Sequence, residues 1–177
     1  MYLDEYKRWL AADLEDADLK PELSRIEGND EEIKDRFAVA LKFGTAGLRG
    51  VLGAGTNRMN IYTVGAATQG LSNYLNKCFA GKKDISVVVG HDCRNNSDKF
   101  AKISPTSSLQ TASRYIFLMT FVLRPKFHLP FATSAARAVS TLQPATTPEN
   151  TTATRLIGMT VRRCSPPHDT AIIDEVN

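Results

Sequence analysis

Residues 85–94 read Ile-Ser-Val-Val-Val-Gly-His-Asp-Cys-Arg, and this stretch decides the fold class. Four of its first five residues are apolar and none is charged, which is typical of a strand buried in a sheet. Residues 90–94 follow as a loop at the carboxyl end of that strand, where open α/β sheets bind their ligands. The stretch therefore predicts an α/β fold with a ligand-binding edge.

Helical patterns flank the predicted strand on both sides. Upstream, a helix opens at Thr63 and ends at Gly81, and its apolar face carries small residues that allow close packing on a sheet. Downstream, Asn96 or Ser97 caps a helix that begins at Asp98. Residues 61–104 thus predict a helix, a strand and a second helix, which is the opening of an α/β domain.

The amino-terminal residues 1–42 predict a separate helical extension. Apolar residues recur at helical spacing over residues 2–18, and Pro21 suits the first turn of a short second helix. Asn29 or Asp30 caps a third helix, with acidic residues near its positive end.

The loop of residues 43–50 reads Phe-Gly-Thr-Ala-Gly-Leu-Arg-Gly and suits an anion. Its glycines let backbone N–H groups approach a ligand closely, with Gly47 at the centre. Thr45 adds a hydroxyl donor, and Arg49 adds a planar cation that matches phosphate oxygens. The alternative is a tight turn whose arginine simply faces solvent.

Two motifs carry a family resemblance. Residues 51–60 continue the loop as Val-Leu-Gly-Ala-Gly-Thr-Asn-Arg-Met-Asn, and residues 87–94 form a strand followed by a G-x-D-x-R loop. Together they resemble the N-terminal domain I of the α-D-phosphohexomutases, the phosphoglucomutase and phosphomannomutase family. The resemblance covers residues 1–104, returns at 167–177 and is absent between them.

The resemblance implies an isomerase, an intramolecular phosphotransferase that interconverts hexose 1-phosphate and hexose 6-phosphate. It implies Mg²⁺ and a hexose bisphosphate activator as cofactors, and a hexose phosphate as ligand. By the same resemblance Arg49 binds phosphate, supported by Thr45 and Gly47. Asp92 and Arg94 orient the catalytic loop from behind, or else form an ordinary loop ion pair of little energetic value.

The chemistry of the family is nevertheless incomplete in this sequence. The phosphorylated serine of the family lies in a T-A-S-H-N-P-type loop, whereas residues 144–148 here read Pro-Ala-Thr-Thr-Pro. The D-G-D-x-D-R magnesium loop and the G-E-E-S-G sugar loop are also missing. We therefore assign no catalytic residue and no metal ligand, and expect the first of four domains, inactive as written. The alternative is a non-enzymatic pseudogene product or a phosphate-binding module.

Residues 105–166 differ in composition from the rest of the chain. They hold seven Arg or Lys, one acidic residue, 17 Ser or Thr and one of the 11 glycines. This composition, with no periodicity between residues 141 and 154, predicts irregular and poorly ordered chain after residue 104. A basic block of this kind also suggests nucleic-acid binding, but its arginines are scattered and no aromatic residues interleave them, so we expect none.

A reading-frame error explains that interval. Residues 144–148 can be encoded as CCA GCC ACA ACC CCC, which from its third nucleotide reads Ser-His-Asn-Pro. Four other segments between residues 104 and 163 conceal family-like sequence at the same offset. We therefore interpret residues 105–166 as out of frame, with the frame restored at residues 167–177.

Composition excludes several other classes. No hydrophobic run reaches membrane-spanning length, and the acidic and basic amino terminus does not resemble a signal peptide. The three cysteines have neither metal-ligand nor disulfide spacing, so we expect a cytoplasmic protein with no membrane partner.

Overall fold

The structure is a computed structural model that describes residues 1–44, 47–78, 80, 86–90, 96–108, 114–118, 138–144, 151–157 and 167–176. Its helices are α1 (Tyr2–Ala11), α2 (Leu19–Arg25), α3 (Asp30–Phe37), α4 (Ile61–Cys78), α5 (Ser97–Ser108) and α6 (His168–Val176). Its strands are β1 (Phe43–Gly44), β2 (Gly47–Val51), β3 (Ser86–Gly90), β4 (Arg114–Leu118), β5 (Ala138–Pro144) and β6 (Thr151–Ile157).

Helices α1 to α3 pack around a core of their own. Tyr6 of α1 is buried and donates its hydroxyl to the carbonyl oxygen of Leu23 at 3.1 Å. Burial, and then the nearby Glu27, raises the pKa of that phenol. Trp9 lies edge-on to Phe37 at a centroid distance of 5.8 Å, which is a favourable aromatic geometry. We call this group of buried residues the N-terminal cluster; it comprises Tyr6, Leu19, Leu23, Ile26, Ile33, Phe37 and Ala54.

A second core lies between the sheet and helices α4, α5 and α6. Helix α4 contributes most of it because its apolar residues recur every three or four positions and so share one face. Phe100 of α5 and Ile172 of α6 are almost fully buried against that face. We call this group the sheet cluster; it comprises Phe43, Leu48, Met59, Ile61, Val64, Ala67, Leu71, Leu75, Phe100, Ala101 and Ile172.

The described strands form one six-stranded sheet in the order β1-β2-β6-β5-β3-β4. Strand β3 pairs in parallel with β4 on one side and with β5 on the other. The pairs β5–β6, β6–β2 and β1–β2 are antiparallel. The mixed sheet with helices packed on it confirms the predicted α/β class.

The elements predicted within residues 61–104 are present, with small changes in their bounds. The strand predicted at 85–89 is β3, and it lies inside the sheet between β4 and β5. Helix α4 begins two residues before Thr63, since Asn60 provides its cap. The three N-terminal helices are also found, although α1 ends at Ala11 instead of residue 18.

The prediction of irregular chain after residue 104 is wrong for the residues of β4, β5 and β6. Helix α5 also continues past that point to Ser108. The threonine-rich stretches lack periodicity and glycines, and for this reason the sequence predicts irregular chain. β-branched threonine nevertheless favours strands when a sheet edge is available for pairing. Strands β5 and β6 supply such a pairing for each other over six residue pairs.

Candidate functional site

Residues 43–51 form a short antiparallel hairpin that carries the predicted anion loop. Gly44 lies opposite Gly47, and Gly47 has a φ of 99°, a left-handed conformation that favours glycine. Phe43 and Leu48 are buried in the sheet cluster. Because successive side chains of a strand point to opposite faces, the burial of Leu48 places Arg49 on the other face, where it is exposed.

The sheet register places Arg49 near the carboxyl end of β3. Gly90, the last residue of β3, pairs with Thr141 of β5. The next residue of β5, Leu142, pairs with the same residue of β6 as Leu48 of β2, so Leu142 and Leu48 lie in one row of the sheet. Strand β2 runs in the same direction as β3. Along the direction in which β3 runs, Arg49 therefore lies two rows, about 7 Å, beyond Gly90. Across the sheet, the two residues are three strands, roughly 14 Å, apart.

Strand β5 ends beside the same arginine. Ala153 of β6 lies opposite Arg49, and Thr152 lies opposite both Gly50 and Pro144. Pro144, the last residue of β5, therefore lies one row beyond Arg49.

Several predicted site residues lie outside the described residues. Thr45 is one of them, although its neighbours Gly44 and Gly47 pair across the hairpin. Asp92 and Arg94 follow β3 in the 91–95 loop and are also outside. The prediction that these residues share a cleft with Arg49 therefore stays a prediction.

The segment 57–60 anchors the start of helix α4. The Asn60 side-chain oxygen accepts the backbone N–H groups of Tyr62 and Thr63, both at 3.1 Å. Its amide nitrogen donates to the carbonyl oxygens of Gly53 (3.0 Å) and Gly55 (2.8 Å). This set of bonds uses the whole polar capacity of the amide, so Asn60 acts as a structural cap.

Sequence reasoning missed a charged pair behind the hairpin. Glu22 of α2 and Arg36 of α3 form an ion pair with an N–O distance of 2.6 Å, and Glu32 binds Arg36 from one turn earlier. Burial alone would lower the pKa of Arg36, but the hydrogen bonds that Arg36 donates to the two carboxylates, together with their charges, outweigh it and raise that pKa. The i, i+4 spacing of Glu32 and Arg36 was the available signal.

A cavity of about 520 Å³ lies on the core side of the hairpin, between α1, residues 39–42 and α4. Leu48, Trp9, Tyr62 and Lys42 line it, and Arg49 does not. The cavity therefore lies on the face of β2 that carries Leu48, whereas the Arg49 side chain lies on the opposite face.

The described residues contain no group of three or more His, Cys, Asp or Glu side chains that could hold a metal ion. The described residues therefore include no set of ligands for the Mg²⁺ that the resemblance implies. Among the same residues, none of the helices combines the length and the apolar character needed to cross a membrane.

Comparison with protein families agrees with this geometry. Residues 40–116 match the model of the phosphoglucomutase/phosphomannomutase alpha/beta/alpha domain I. Residues 40–116 belong to this family. The matched region of domain I contains both loops of the resemblance and ends twelve residues beyond residue 104.

Curated relatives match the chain over a small part of their length. The human phosphopentomutase is 38% identical over 98 residues, which are 51% of this chain and 16% of the relative. The mouse glucose 1,6-bisphosphate synthase is 34% identical over 119 residues, 64% of this chain and 19% of the relative. The phosphoribomutase of Saccharomyces cerevisiae is 33% identical over 151 residues, 82% of this chain and 24% of the relative.

Solved structures share the fold. A protein of Thermus thermophilus assigned as a phosphomannomutase has a TM-score of 0.68 at 21% identity, covering 78% of this chain and 30% of its own. A phosphoglucomutase/phosphomannomutase family protein from Burkholderia thailandensis has a TM-score of 0.57 at 10% identity, covering 73% of this chain and 28% of its own. At these identities the likeness supports the domain I fold alone.

Proposed function

We propose that this chain is the phosphate-binding N-terminal part of a phosphosugar mutase, and that Arg49 contacts a phosphate group of the sugar phosphate. The observation that carries the proposal is the position of Arg49, exposed on β2 one row from the carboxyl end of β5. A guanidinium there would bind phosphate oxygens through two parallel hydrogen bonds, with Gly47 and Thr45 supplying further donors. Asp92 and Arg94 would support the same edge from the 91–95 loop.

Phosphate binding by the purified chain tests this role of Arg49. Titration with inorganic phosphate, followed by amide chemical shifts in NMR, should give saturable shifts in residues 47–50. Arg49→Ala should abolish them, and Arg49→Lys should weaken them because an ammonium cannot bind in a bidentate way. Arg25→Ala removes an exposed arginine of α2 and is the matched control. Equal binding by Arg49→Ala would contradict the proposal.

We further propose that the chain as written does not turn over a sugar phosphate. Phosphoryl transfer needs a group that carries the phosphate and a metal that neutralises its charge. Thr146 and Thr147 stand in the region of the family's serine without the flanking His-Asn-Pro. Only four acidic residues follow residue 104, namely Glu149, Asp169, Asp174 and Glu175.

The assay for turnover uses glucose 1-phosphate with glucose 1,6-bisphosphate, and Mg²⁺ in the buffer. We expect no conversion and no transfer of labelled phosphate to the protein. Stable labelling of Thr146 or Thr147 would refute the inactive state. Phosphate binding without turnover is expected both of an inactive enzyme fragment and of the alternative, a non-enzymatic phosphate-binding module. A downstream reading frame that encodes the remaining domains would favour the fragment.

The substrate class has two candidates. Hexose 1-phosphate and 6-phosphate are the substrates that the family resemblance implies. Pentose phosphates are the second candidate, because relatives of 38% and 33% identity are named phosphopentomutase and phosphoribomutase. Competition between glucose 1-phosphate and ribose 1-phosphate for the Arg49 site would separate the two. We place this chemistry in the cytoplasm.

We also propose that residues 105–166 are translated out of frame. Pro105 lies inside α5, and a proline has no N–H to donate to the helical ladder. A residue that disfavours the helix interior, one position after Ser104, is what a frame change at that point would explain. Resequencing the locus tests the proposal, and an uninterrupted frame that encodes these residues would refute it.

A further inference from the structure

The 53–59 loop joins β2 to α4, and two charged residues of the N-terminal helices hold it. The Glu22 carboxylate accepts the backbone N–H of Ala54 at 2.9 Å and the Nη1–H of Arg36 at 2.6 Å. The same Nη1 donates to the carbonyl oxygen of Ala54 at 3.1 Å. One ion pair thus binds both backbone polar groups of a single loop residue.

The backbone of α3 binds the loop as well. The carbonyl oxygen of Arg36 accepts the N–H of Asn57 at 2.9 Å and the hydroxyl of Thr56 at 3.4 Å. Glu32 accepts the Nε–H of Arg36 at 2.9 Å, and the arginine side chain is only 12% exposed. Arg36 is therefore fixed from two sides while it holds the loop.

Two glycines permit this close approach of loop and helices. A Cβ on Gly53 would lie 2.6 Å from the Glu22 Oε1, and one on Gly55 would lie 2.8 Å from the Arg36 carbonyl oxygen. Both glycines also have positive φ values, 145° and 129°. Any side chain at these positions would push the loop away from the ion pair.

The far side of the same loop is bound to β2. Met59 donates its N–H to the carbonyl oxygen of Val51 at 2.7 Å. Leu41, whose own N–H binds the loop at Thr56, packs so closely on Gly50 that a Cβ there would lie 2.9 Å from the leucine Cδ1. The contacts that begin at the ion pair therefore end at the two residues of β2 that follow Arg49.

We propose that Glu22 and Arg36 are positioning residues for Arg49. Through the 53–59 loop they fix the carboxyl half of β2, and with it the backbone position from which the Arg49 guanidinium binds phosphate. This inference rests on the proposed role of Arg49 in phosphate binding. It gives the N-terminal helices a part in the site through their contacts with the loop.

The test measures the Kd for inorganic phosphate by NMR, at a temperature where every variant is folded. Glu22→Ala should raise the Kd by roughly three- to tenfold, or about 0.7 to 1.4 kcal/mol of binding free energy. Glu22→Gln keeps an acceptor for the Ala54 N–H and should restore part of the affinity. Tyr6→Phe is the matched control, because it removes a hydrogen bond of the N-terminal cluster that does not touch the loop.

The outcomes separate this inference from the function on which it rests. If the wild-type chain binds no phosphate, the function of Arg49 fails, and the amide shifts of residues 48–51 in Glu22→Ala still test the positioning. Shifts there with Glu22→Ala and none with Tyr6→Phe would support it. Equal effects of both variants on β2 or on the Kd, or no effect of either, would overturn it. If Glu22→Ala does not fold, Glu22→Gln is compared with Tyr6→Phe instead, and the expected changes in the Kd and in the amide shifts are smaller.

Discussion

Single residues at the start of α4 determine how the chain leaves the hairpin. Asn60 is 3% exposed, and it joins the loop glycines to the first turn of the helix through both ends of its amide. Thr63 closes the arrangement by accepting the backbone N–H of Asn60 at 3.0 Å. This reciprocal pair resembles a capping box, in which two donors are satisfied at once.

Asn60→Ala should destabilise the protein by about 2 kcal/mol, since it removes the cap and leaves loop carbonyls without a donor. Urea unfolding followed by circular dichroism would measure this. Gln69→Ala, in the exposed middle of the same helix, should cost less than about 0.5 kcal/mol. Equal costs for the two variants would show that the Asn60 bonds contribute nothing beyond helix propensity.

Pairs of elements depend on close contacts that no local pattern reveals. Helix α6 crosses α4 at Gly70, with Lys77 bound to Glu175 and the Tyr74 hydroxyl 2.5 Å from the His168 Nδ1. Tyr74 and His168 are 94 residues apart along the chain, so no local sequence pattern indicates their contact.

Gly70→Ala tests the packing of α4 against α6. Alanine favours a helix by about 1 kcal/mol over glycine, but its Cβ would lie 2.8 Å from the Val176 Cα and 2.9 Å from the Glu175 carbonyl oxygen. Overpacking against backbone costs about 1 to 3 kcal/mol, so we expect net destabilisation in thermal unfolding. In a chain that stops at Pro167 the same substitution should stabilise. Stabilisation in the full chain would mean that α6 is docked elsewhere.

Lys99 of α5 binds the segment between α1 and α2, with its Nζ 3.0 Å from Asp18 and 3.1 Å from Asp16. The hydrogen bonds that Lys99 donates to Asp18 and then to Asp16 raise its pKa above the ordinary value of 10.5. A raised lysine pKa stabilises the fold fully below the pKa of the unfolded chain, and this stabilisation disappears as the pH rises through the folded-state pKa.

Lys99→Met should therefore cost less than about 1 kcal/mol at pH 7, because the lysine is 41% exposed and screened by solvent. The difference from wild type should persist to about pH 9.5 and shrink above pH 10.5. Unfolding by urea across this pH range measures it. Lys102→Met, whose contact to Asp98 is 3.6 Å long, serves as control. A pH-independent difference would assign the effect to lost packing of the lysine stem.

The sequence predicted those features that depend on neighbours along the chain. Asn29 could be recognised as a cap, and the apolar run that contains Val87 could be recognised as a strand, because each depends on adjacent residues. Arg49 is predicted as a phosphate ligand because the composition of its loop suits an anion, and that role stays a prediction. Glu22 and Arg36 were not assigned to a site, since their role depends on a loop 18 to 32 residues further along. The pairing of β5 with β6 was missed because no local periodicity encodes it.

At the scale of the whole molecule, two cores share one chain, and Tyr62 packs against both of them. The N-terminal cluster uses residues 6–54, whereas the sheet cluster draws on residues from 43 to 172. The sheet cluster therefore spans the interval that we interpret as out of frame.

Restoring the frame across residues 105–166 should raise the melting temperature and sharpen the unfolding transition. Residues translated in the original frame are selected to agree with the fold at every level, whereas out-of-frame residues are not. Calorimetry of the two chains, with the Asn60→Ala variant of each as reference, would measure the gain. An unchanged transition would contradict the out-of-frame interpretation at the level of folding.

The docking of α6 on α4 also determines the order of events during synthesis. The paired residues Lys77 and Glu175 are 98 positions apart, so a ribosome adding about 5 to 20 residues per second needs roughly 5 to 20 s to make the second after the first. Throughout that time the face of α4 around Gly70 and Leu71 has no helix to cover it. A nascent chain in this state offers an apolar surface to chaperones, and the synthesis of α6 removes that surface.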